Sequence, residues 1–345
     1  MNILILGASY GSLLSTKLLM AGHDVSLVCL PEEAQLINDS GTEVRLKLRS
    51  ESEHRSIRSS DLPGKLDAVT PDQANLERYD LIGLAMQEPQ YAAPEVKQLL
   101  VKIANANLPC LSIMNMPPLA YLKRIPSLSA INLEGCYRDA SVWQHFDPAN
   151  VTLCSPDPQA FRPPEEKLNV LHVGLPTNFK AANFGNEKHQ NILTTLSKDI
   201  DAVRLDDQDV PVKLRVFDSL FVPMAKWSML LTGNYRCIAK DGVQSIRDSV
   251  HGEKNASAEV YSFVDTLVQK LGGSVSDAVP FEKYANAAEN LLKPSSAARA
   301  IDAGATNIER VDKLVQTIGR EFDLQHPVVD EIVETVNTRL SKNGG

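Results

Sequence analysis

The first thirty residues, MNILILGASYGSLLSTKLLMAGHDVSLVCL, constrain the fold more than any other stretch of this chain. The unbroken apolar run NILIL is the pattern of a strand buried on both faces. It stops at Gly7, after which LLSTKLLMAG reads as an apolar helix closed by Gly22. HDVSLVCL follows as a second strand. Strand, glycine turn, helix and strand is how a dinucleotide-binding unit begins. Its glycines allow the tight turn, the approach of pyrophosphate to backbone, and the packing of helix on strand. GASYGS departs from G-x-G-x-x-G, because Ser9 stands where the second glycine belongs and the loop is one residue short. Gly7 takes the turn, and Gly11 takes the close approach or the helix packing. Ser9 or Ser12 offers a hydroxyl to phosphate, and Tyr10 completes the candidate phosphate loop.

The end of the second strand reads which dinucleotide is bound. Cys29, Leu30, Pro31, Glu32 and Glu33 include no arginine to accept a 2′-phosphate, and the two acids repel one. NAD is therefore favoured and NADP is not excluded, with Leu30 at the cofactor position. Further on, YDLIGLAM (79–86), a helix through VKQLLVKIA and the strand PCLSIMN continue the alternation. Repeated βαβ units imply a parallel, doubly wound Rossmann-type sheet. Residues 43–75 are polar and read as an excursion beginning with a hairpin at EVRLKL, and YRDASVWQHFDP reads as a surface loop. NVTLCS, KLNVLHVG and DAVRL are strand-like pieces within 151–206, and after about residue 208 every pattern is helical. The expected organisation is α/β: a dinucleotide-binding domain over 1–208 and an all-helical substrate and dimerisation domain over 209–345.

A chain of 345 residues suits two domains. A net charge of -8 and a pI near 5.5 argue against a nucleic-acid partner. No apolar run approaches the roughly 20 residues of a membrane span, and no basic segment precedes the first apolar one, so no membrane partner or signal peptide is expected. The five cysteines are odd in number and lack C-x-x-C spacing, which fits a reducing cytoplasm. His145, His172 and His189 have no metal-ligand spacing, and no metal is expected.

The helix PMAKWSMLLTGNYRC places Lys226, Leu230 and Asn234 at i, i+4 and i+8. They share a broad face, with the two ends about 12 Å apart along the axis. A lysine beside Met224, Trp227 and Met229 is partly desolvated and readied for proton transfer. The plainer reading is a lysine snorkelling off an amphipathic helix.

This layout resembles the ketopantoate reductases (2-dehydropantoate 2-reductases), whose helical domain carries K-x-x-x-N-x-x-x-N behind a Rossmann domain. The resemblance implies that Lys226 is the catalytic lysine and Asn234 the second asparagine, with Leu230 replacing the first. MNMPP lies at the family's Q-N-G-L-G, placing Asn115 at its cofactor- and substrate-facing asparagine. AMQ lies at A-V-K, with Gln87 for the lysine. SSAARAI resembles S-S-M-x-Q-D, placing Ser296 at the substrate-binding serine. TNIE lies at T-E-I-D, which puts Asn307 at the catalytic glutamate; Glu309 is reached only by sliding the helix register. The excursion at 43–75 and the segment 145–190 make the chain longer than the family pattern.

What the resemblance implies is hydride transfer between a nicotinamide and a ketone, imine or alcohol carbon. Lys226 is general acid and electrostatic stabiliser, and Asn115 orients it or the carbonyl. Asn234 and Ser296 hold the polar end of a small anionic substrate. Arg299, three residues after Ser296, binds a carboxylate or phosphonate, or else pairs with Asp302. Leu230 and Asn307 predict a pocket for a more anionic or less hydroxylated substrate than ketopantoate, and a homodimer is expected. A non-catalytic dinucleotide-binding redox regulator is the alternative, favoured by the missing glycine, Gln87 and Asn307. Opine-type dehydrogenases, and semialdehyde dehydrogenases with Cys136 as nucleophile, rank below it.

Overall fold

The computed structural model describes residues 1–49 and 51–344; Ser50, inside the polar excursion, and Gly345 lie outside the described residues. The chain divides into two compact units. Unit 1 holds Met1–Met86, Gln90–Tyr121 and Val142–Asp218, and unit 2 holds Gln87–Pro89, Leu122–Ser141 and Ser219–Gly345.

The strands of unit 1 are β1 (Asn2–Leu6), β2 (Asp24–Val28), β3 (Glu43–Leu46), β4 (Arg55–Arg58), β5 (Leu66–Val69), β6 (Leu81–Leu84) and β7 (Cys110–Ile113). They continue with β8 (Val151–Ser155), β9 (Gln159–Phe161), β10 (Val170–Leu175), β11 (Phe179–Ala182), β12 (Arg204–Leu205), β13 (Gln208–Asp209) and β14 (Leu214–Phe217). Among the described residues, eight of them form one sheet in the order β5-β2-β1-β6-β7-β8-β11-β14. Its pairs are parallel except β8 with β11. The chain runs outward from β1 through β2 to β5, then returns to lay β6 on the other flank of β1. That reversal makes the space between the ends of β1 and β6 a topological switch point, where open parallel sheets bind ligands.

Helices α1 (Ala8–Met20), α2 (Pro31–Ser40), α3 (Pro94–Asn105), α4 (Leu119–Leu122) and α5 (Glu187–Ala202) complete the unit. Ile3, Ile5, Leu13, Leu18, Leu27 and Leu193 lie in one apolar core, each contributing roughly 1.5–3 kcal/mol by leaving water. The hairpin expected at EVRLKL forms as β3 against β4, within a second sheet ordered β4-β3-β10-β9. The rest of that segment is not excursion, because Leu66–Val69 returns to the main sheet beside β2.

The structure departs from the sequence pattern in three places. Helix α5 fills the residues between the strand-like pieces KLNVLHVG and DAVRL, for which the sequence offers no element: its apolar residues Leu193, Leu196 and Ile200 bury one face of an otherwise polar helix. Strand β14 adds to the main sheet at 214–217, so strands do not end near 208 and unit 1 runs to Asp218. Trp143 is 1% exposed and stacks edge-on against Tyr91, with ring centres 5.3 Å apart, so Val142, Trp143 and Phe146 belong to the core while Gln144 and His145 stay exposed.

Unit 2 is helical: α6 (Lys226–Met229), α7 (Ile246–His251), α8 (Lys254–Leu271), α9 (Phe281–Ala288), α10 (Ser296–Asp302), α11 (Val311–Glu321) and α12 (Pro327–Gly344). Apolar faces at i, i+3 and i+4, such as Val260, Val264, Leu267 and Leu271 of α8, supply its core.

Candidate functional site

In unit 1 the turn at the switch point is tight for identifiable reasons. Gly7 has φ +101°, and its N–H donates to the Val28 carbonyl at 3.0 Å. A Cβ there would lie 2.6 Å from Met86 Cγ and 2.8 Å from the Ala85 carbonyl oxygen. Only glycine permits this approach of the β1 and β6 ends. Gly11 settles the choice left open by its spacing. It sits inside α1, and a Cβ would lie 2.7 Å from Ile5 Cγ2, so it serves helix packing.

Helix α1 begins directly at Ala8, with Gly7 at its N-cap and no side chain to satisfy the first-turn amides. Thirteen aligned residues put partial positive charge at that end. These features fit a dinucleotide diphosphate. Two of the expected loop contacts do not hold. The Ser12 hydroxyl is buried and donates back to the Ala8 carbonyl, closing a helical turn. Tyr10 donates to the Pro158 carbonyl at 2.7 Å and packs edge-on against Phe179, which pushes its phenol well above the usual range by burial. The exposed hydroxyl of the loop is Ser9.

At the end of β2, Leu30 is 75% exposed and caps α2, whose first turn carries Glu32 and Glu33. Chain folding brings an arginine to this place after all: Arg162, following β9, pairs with Glu33. Asn115 follows β7, half-buried, at the same C-terminal edge of the sheet as Gly7 and Leu30.

In unit 2, half-buried Lys226 opens α6, between buried Ala225 and Trp227. The helix does not continue as the sequence pattern predicts. Leu230–Asn234 is a π-helix, with the Tyr235 N–H donating to the Leu230 carbonyl at 2.9 Å. In a regular α-helix, i and i+8 are about 80° apart around the axis. The wider π turn unwinds that angle and draws Lys226 and Asn234 closer to one line. Leu230 is 3% exposed and belongs to the core.

A run of hydrogen bonds gathers the other candidates of this unit. The buried Ser295 hydroxyl donates to the Asn234 carbonyl at 2.7 Å and caps α10 by accepting the Ala298 N–H. Ser296, the next residue, is exposed. Tyr235 donates to the Glu309 carbonyl at 2.5 Å and accepts the Val311 N–H at 2.9 Å. Residues 307–310 are not helical, and α11 starts only at Val311. The helical register invoked for Glu309 is therefore absent here: Ile308 is buried, Asn307 exposed and Glu309 half-buried. Asn307 is exposed and donates to Thr306.

The Glu309 carboxylate accepts the Glu88 N–H at 3.3 Å, beside exposed Gln87. Glu88 is buried, with its carboxylate accepting the Arg138 N–H at 3.0 Å. Burial, and to a lesser degree the Glu309 charge, pushes it up to about 7. The alternative pairing of Arg299 fails, because Arg339 reaches Asp302 and exposed Arg299 donates to the Pro294 carbonyl at 3.2 Å. Ser295, Tyr235, Glu88 and Arg162 are absent from the sequence reading. Adjacency to Ser296, Asn234 and Gln87 marks the first three, whereas nothing local marks Arg162.

No family model and no curated protein matches the sequence. Solved structures do match. The 2-dehydropantoate 2-reductase of Methylococcus capsulatus is 12% identical with a TM-score of 0.70, over 100% of this chain and 98% of that one. A D-mandelate dehydrogenase bound to NADH and anilino(oxo)acetate is 15% identical with a TM-score of 0.67, over the whole of both chains. A dimeric ketopantoate reductase from Staphylococcus aureus is 11% identical with a TM-score of 0.65, again over the whole of both. The chain has the ketopantoate reductase fold. At these identities the fold is what is shared.

Within the ketopantoate reductase fold, a thiol nucleophile has no support. Cys136 is 3% exposed, lies 3.5 Å from the Thr317 hydroxyl, and burial pushes its thiol up. The five cysteines are free thiols. Among the described residues no group of three or more His, Cys, Asp or Glu is placed to hold a metal, and no helix is long and apolar enough to cross a membrane.

Proposed function

We propose that this protein is a nicotinamide-dependent oxidoreductase acting on a C–OH or C=O carbon of a small anionic oxo or hydroxy acid. The observation that carries the reading is the switch-point turn, where Gly7 allows the β1 and β6 ends to meet ahead of an uncapped α1. Its support is the fold shared with a D-mandelate dehydrogenase bound to NADH and an anilino(oxo)acetate. The dinucleotide, when bound, supplies the hydride. Gly7, Ser9 and the first amides of α1 would hold its diphosphate, and Leu30 and Gln87 would flank it.

Lys226 delivers the proton to the developing alkoxide from Nζ and stabilises its charge. Asn115 orients the reacting oxygen. Asn234 and Ser296 bind the polar end of the substrate, Arg299 supplies charge for its carboxylate, and Asn307 borders it without adding an acid. The Ser295 hydroxyl fixes the backbone of Asn234 and thereby positions that side chain. We also propose a homodimer in a reducing cytoplasm, to be tested by sedimentation.

The decisive test begins with calorimetric titration of NADH and NADPH, followed by a screen of small 2-oxo acids. On the best substrate, Lys226→Ala lowers kcat by about 10²–10⁴-fold, while dinucleotide affinity stays within about twofold. Unchanged turnover would remove Lys226 from the mechanism and favour the regulator reading.

A further inference from the structure

The pair formed by Glu33 and Arg162 lies where the adenosine ribose of a dinucleotide is read. Cys29 is the first residue after β2, and its N–H donates to the Val69 carbonyl at 3.1 Å, so the backbone here still follows the sheet edge. The Cys29 thiol feels both partners, Glu33 raising its pKa and Arg162 lowering it, within an environment whose burial pushes it up to about 12. Glu33 sits in the first turn of α2, which opens at Pro31 just after β2 ends at Val28, so the pair lies beside the C-terminal end of β2. Its side chains are only 21% (Arg162) and 12% (Glu33) exposed. Arg162 Nη2 donates to Glu33 Oε1, while the other carboxylate oxygen and the remaining guanidinium donors leave each partner capacity for one more ligand.

We infer that the Glu33–Arg162 pair is a selectivity lock for an unphosphorylated adenosine ribose, and that the protein prefers NADH to NADPH. This inference rests on the dinucleotide reading proposed above. A ribose diol needs an acceptor, which Glu33 provides. A 2′-phosphate adds roughly 1.5 to 2 negative charges and needs an uncompensated cation. Arg162 is the cation at this place, and Glu33 already neutralises it. The net charge offered to the phosphate is near zero, and the nearest carboxylate repels it. Glu33 sets the preference, and Arg162 is the cation that it neutralises.

The test is the pair of dissociation constants for NADH and NADPH, measured by calorimetry on the full chain, on Glu33→Gln and on Arg162→Ala. The unaltered protein binds NADH more tightly. Glu33→Gln releases the guanidinium, so NADPH tightens about tenfold while NADH weakens, and the preference narrows or inverts. Arg162→Ala leaves Glu33 uncompensated, so NADPH weakens further while NADH binding persists and reports an intact fold. Tighter NADPH binding by the unaltered protein overturns the inference. So does an unchanged NADH:NADPH ratio in Glu33→Gln. Binding of neither dinucleotide by the unaltered protein overturns the oxidoreductase reading itself, and the selectivity lock with it.

Discussion

Gly7 carries two constraints at a single α-carbon. Its φ of +101° is a conformation that L side chains rarely adopt, and a Cβ would also sit 2.6 Å from Met86 Cγ. Gly7→Ala is therefore expected to destabilise the protein by about 2 kcal/mol, and to abolish dinucleotide binding by pushing β6 away from the turn. A denaturant titration together with NADH calorimetry checks both effects. A variant that binds NADH normally would show that the turn is structural only. Gly11 is a different case. Its role is packing against Ile5, so a substitution there strains the core of unit 1 before it touches any ligand.

The π turn is the feature of the elements with most bearing on the proposed catalysis. Gly233 lies inside it and packs tightly for want of a side chain: a Cβ would lie 2.1 Å from Tyr284 Oη and 3.2 Å from Ile246 Cγ2. The Tyr284 hydroxyl uses that space to donate to the Met229 carbonyl at 3.1 Å, satisfying a group at the α-to-π junction. Gly233→Ala forces this buried ring outward, at a cost of about 1–3 kcal/mol. The expected outcome is a fall in kcat together with lower thermal stability, and unchanged NADH affinity, because the alteration lies in unit 2. Equal kcat in the variant would disconnect the π turn from the placement of Lys226. Loss of NADH binding would show that the change is not confined to that helix.

At the scale of the whole molecule, each unit buries an ionisable group, and the two act in opposite directions with pH. Glu88, in unit 2, is pushed up to about 7 from an ordinary 4.5 by burial. Below pH 4.5 its contribution is fully present; as pH rises towards 7 the unfolded chain gives up the proton and the folded one keeps it. Stability is lost across that window at up to about 1.4 kcal/mol per pH unit. Lys17, in unit 1, is fully buried, with Nζ donating to the Pro211 carbonyl at 3.0 Å. Burial first, and Lys213 second, bring it down to about 7 from 10.5. Its penalty is complete below pH 7 and is relieved as pH rises from 7 towards 10.5, so stability increases there. Chemical denaturation between pH 5 and 9 should show the two limbs meeting near neutrality. Glu88→Gln flattens the acid limb alone. An acid limb that survives in this variant would mean that another group titrates.

What the sequence determined by itself is what local chemistry encodes. The glycine turn, the two flanking strands, α1 and the βαβ alternation follow from apolar periodicity and from the demands of a φ that only glycine meets readily. The helical character of the last third follows in the same way. The choice of Lys226, Asn234 and Ser296 as candidate residues rests on spaced residues and family resemblance. Tertiary structure decided the rest, because each remaining feature depends on groups far apart in the chain. The α-to-π junction is met by the hydroxyl of Tyr284, fifty-five residues after Met229. Residues 307–310 stay out of the helix where Tyr235 takes the Glu309 carbonyl and the Val311 N–H. Tyr10 turns away from the candidate phosphate loop to Pro158, across 148 residues. Arg162 reaches Glu33 across 129 residues, placing a cation where the local sequence has only acids. A hydrophobic pattern specifies which face of an element is buried; the partner that meets a polar side chain is chosen only when the chain folds.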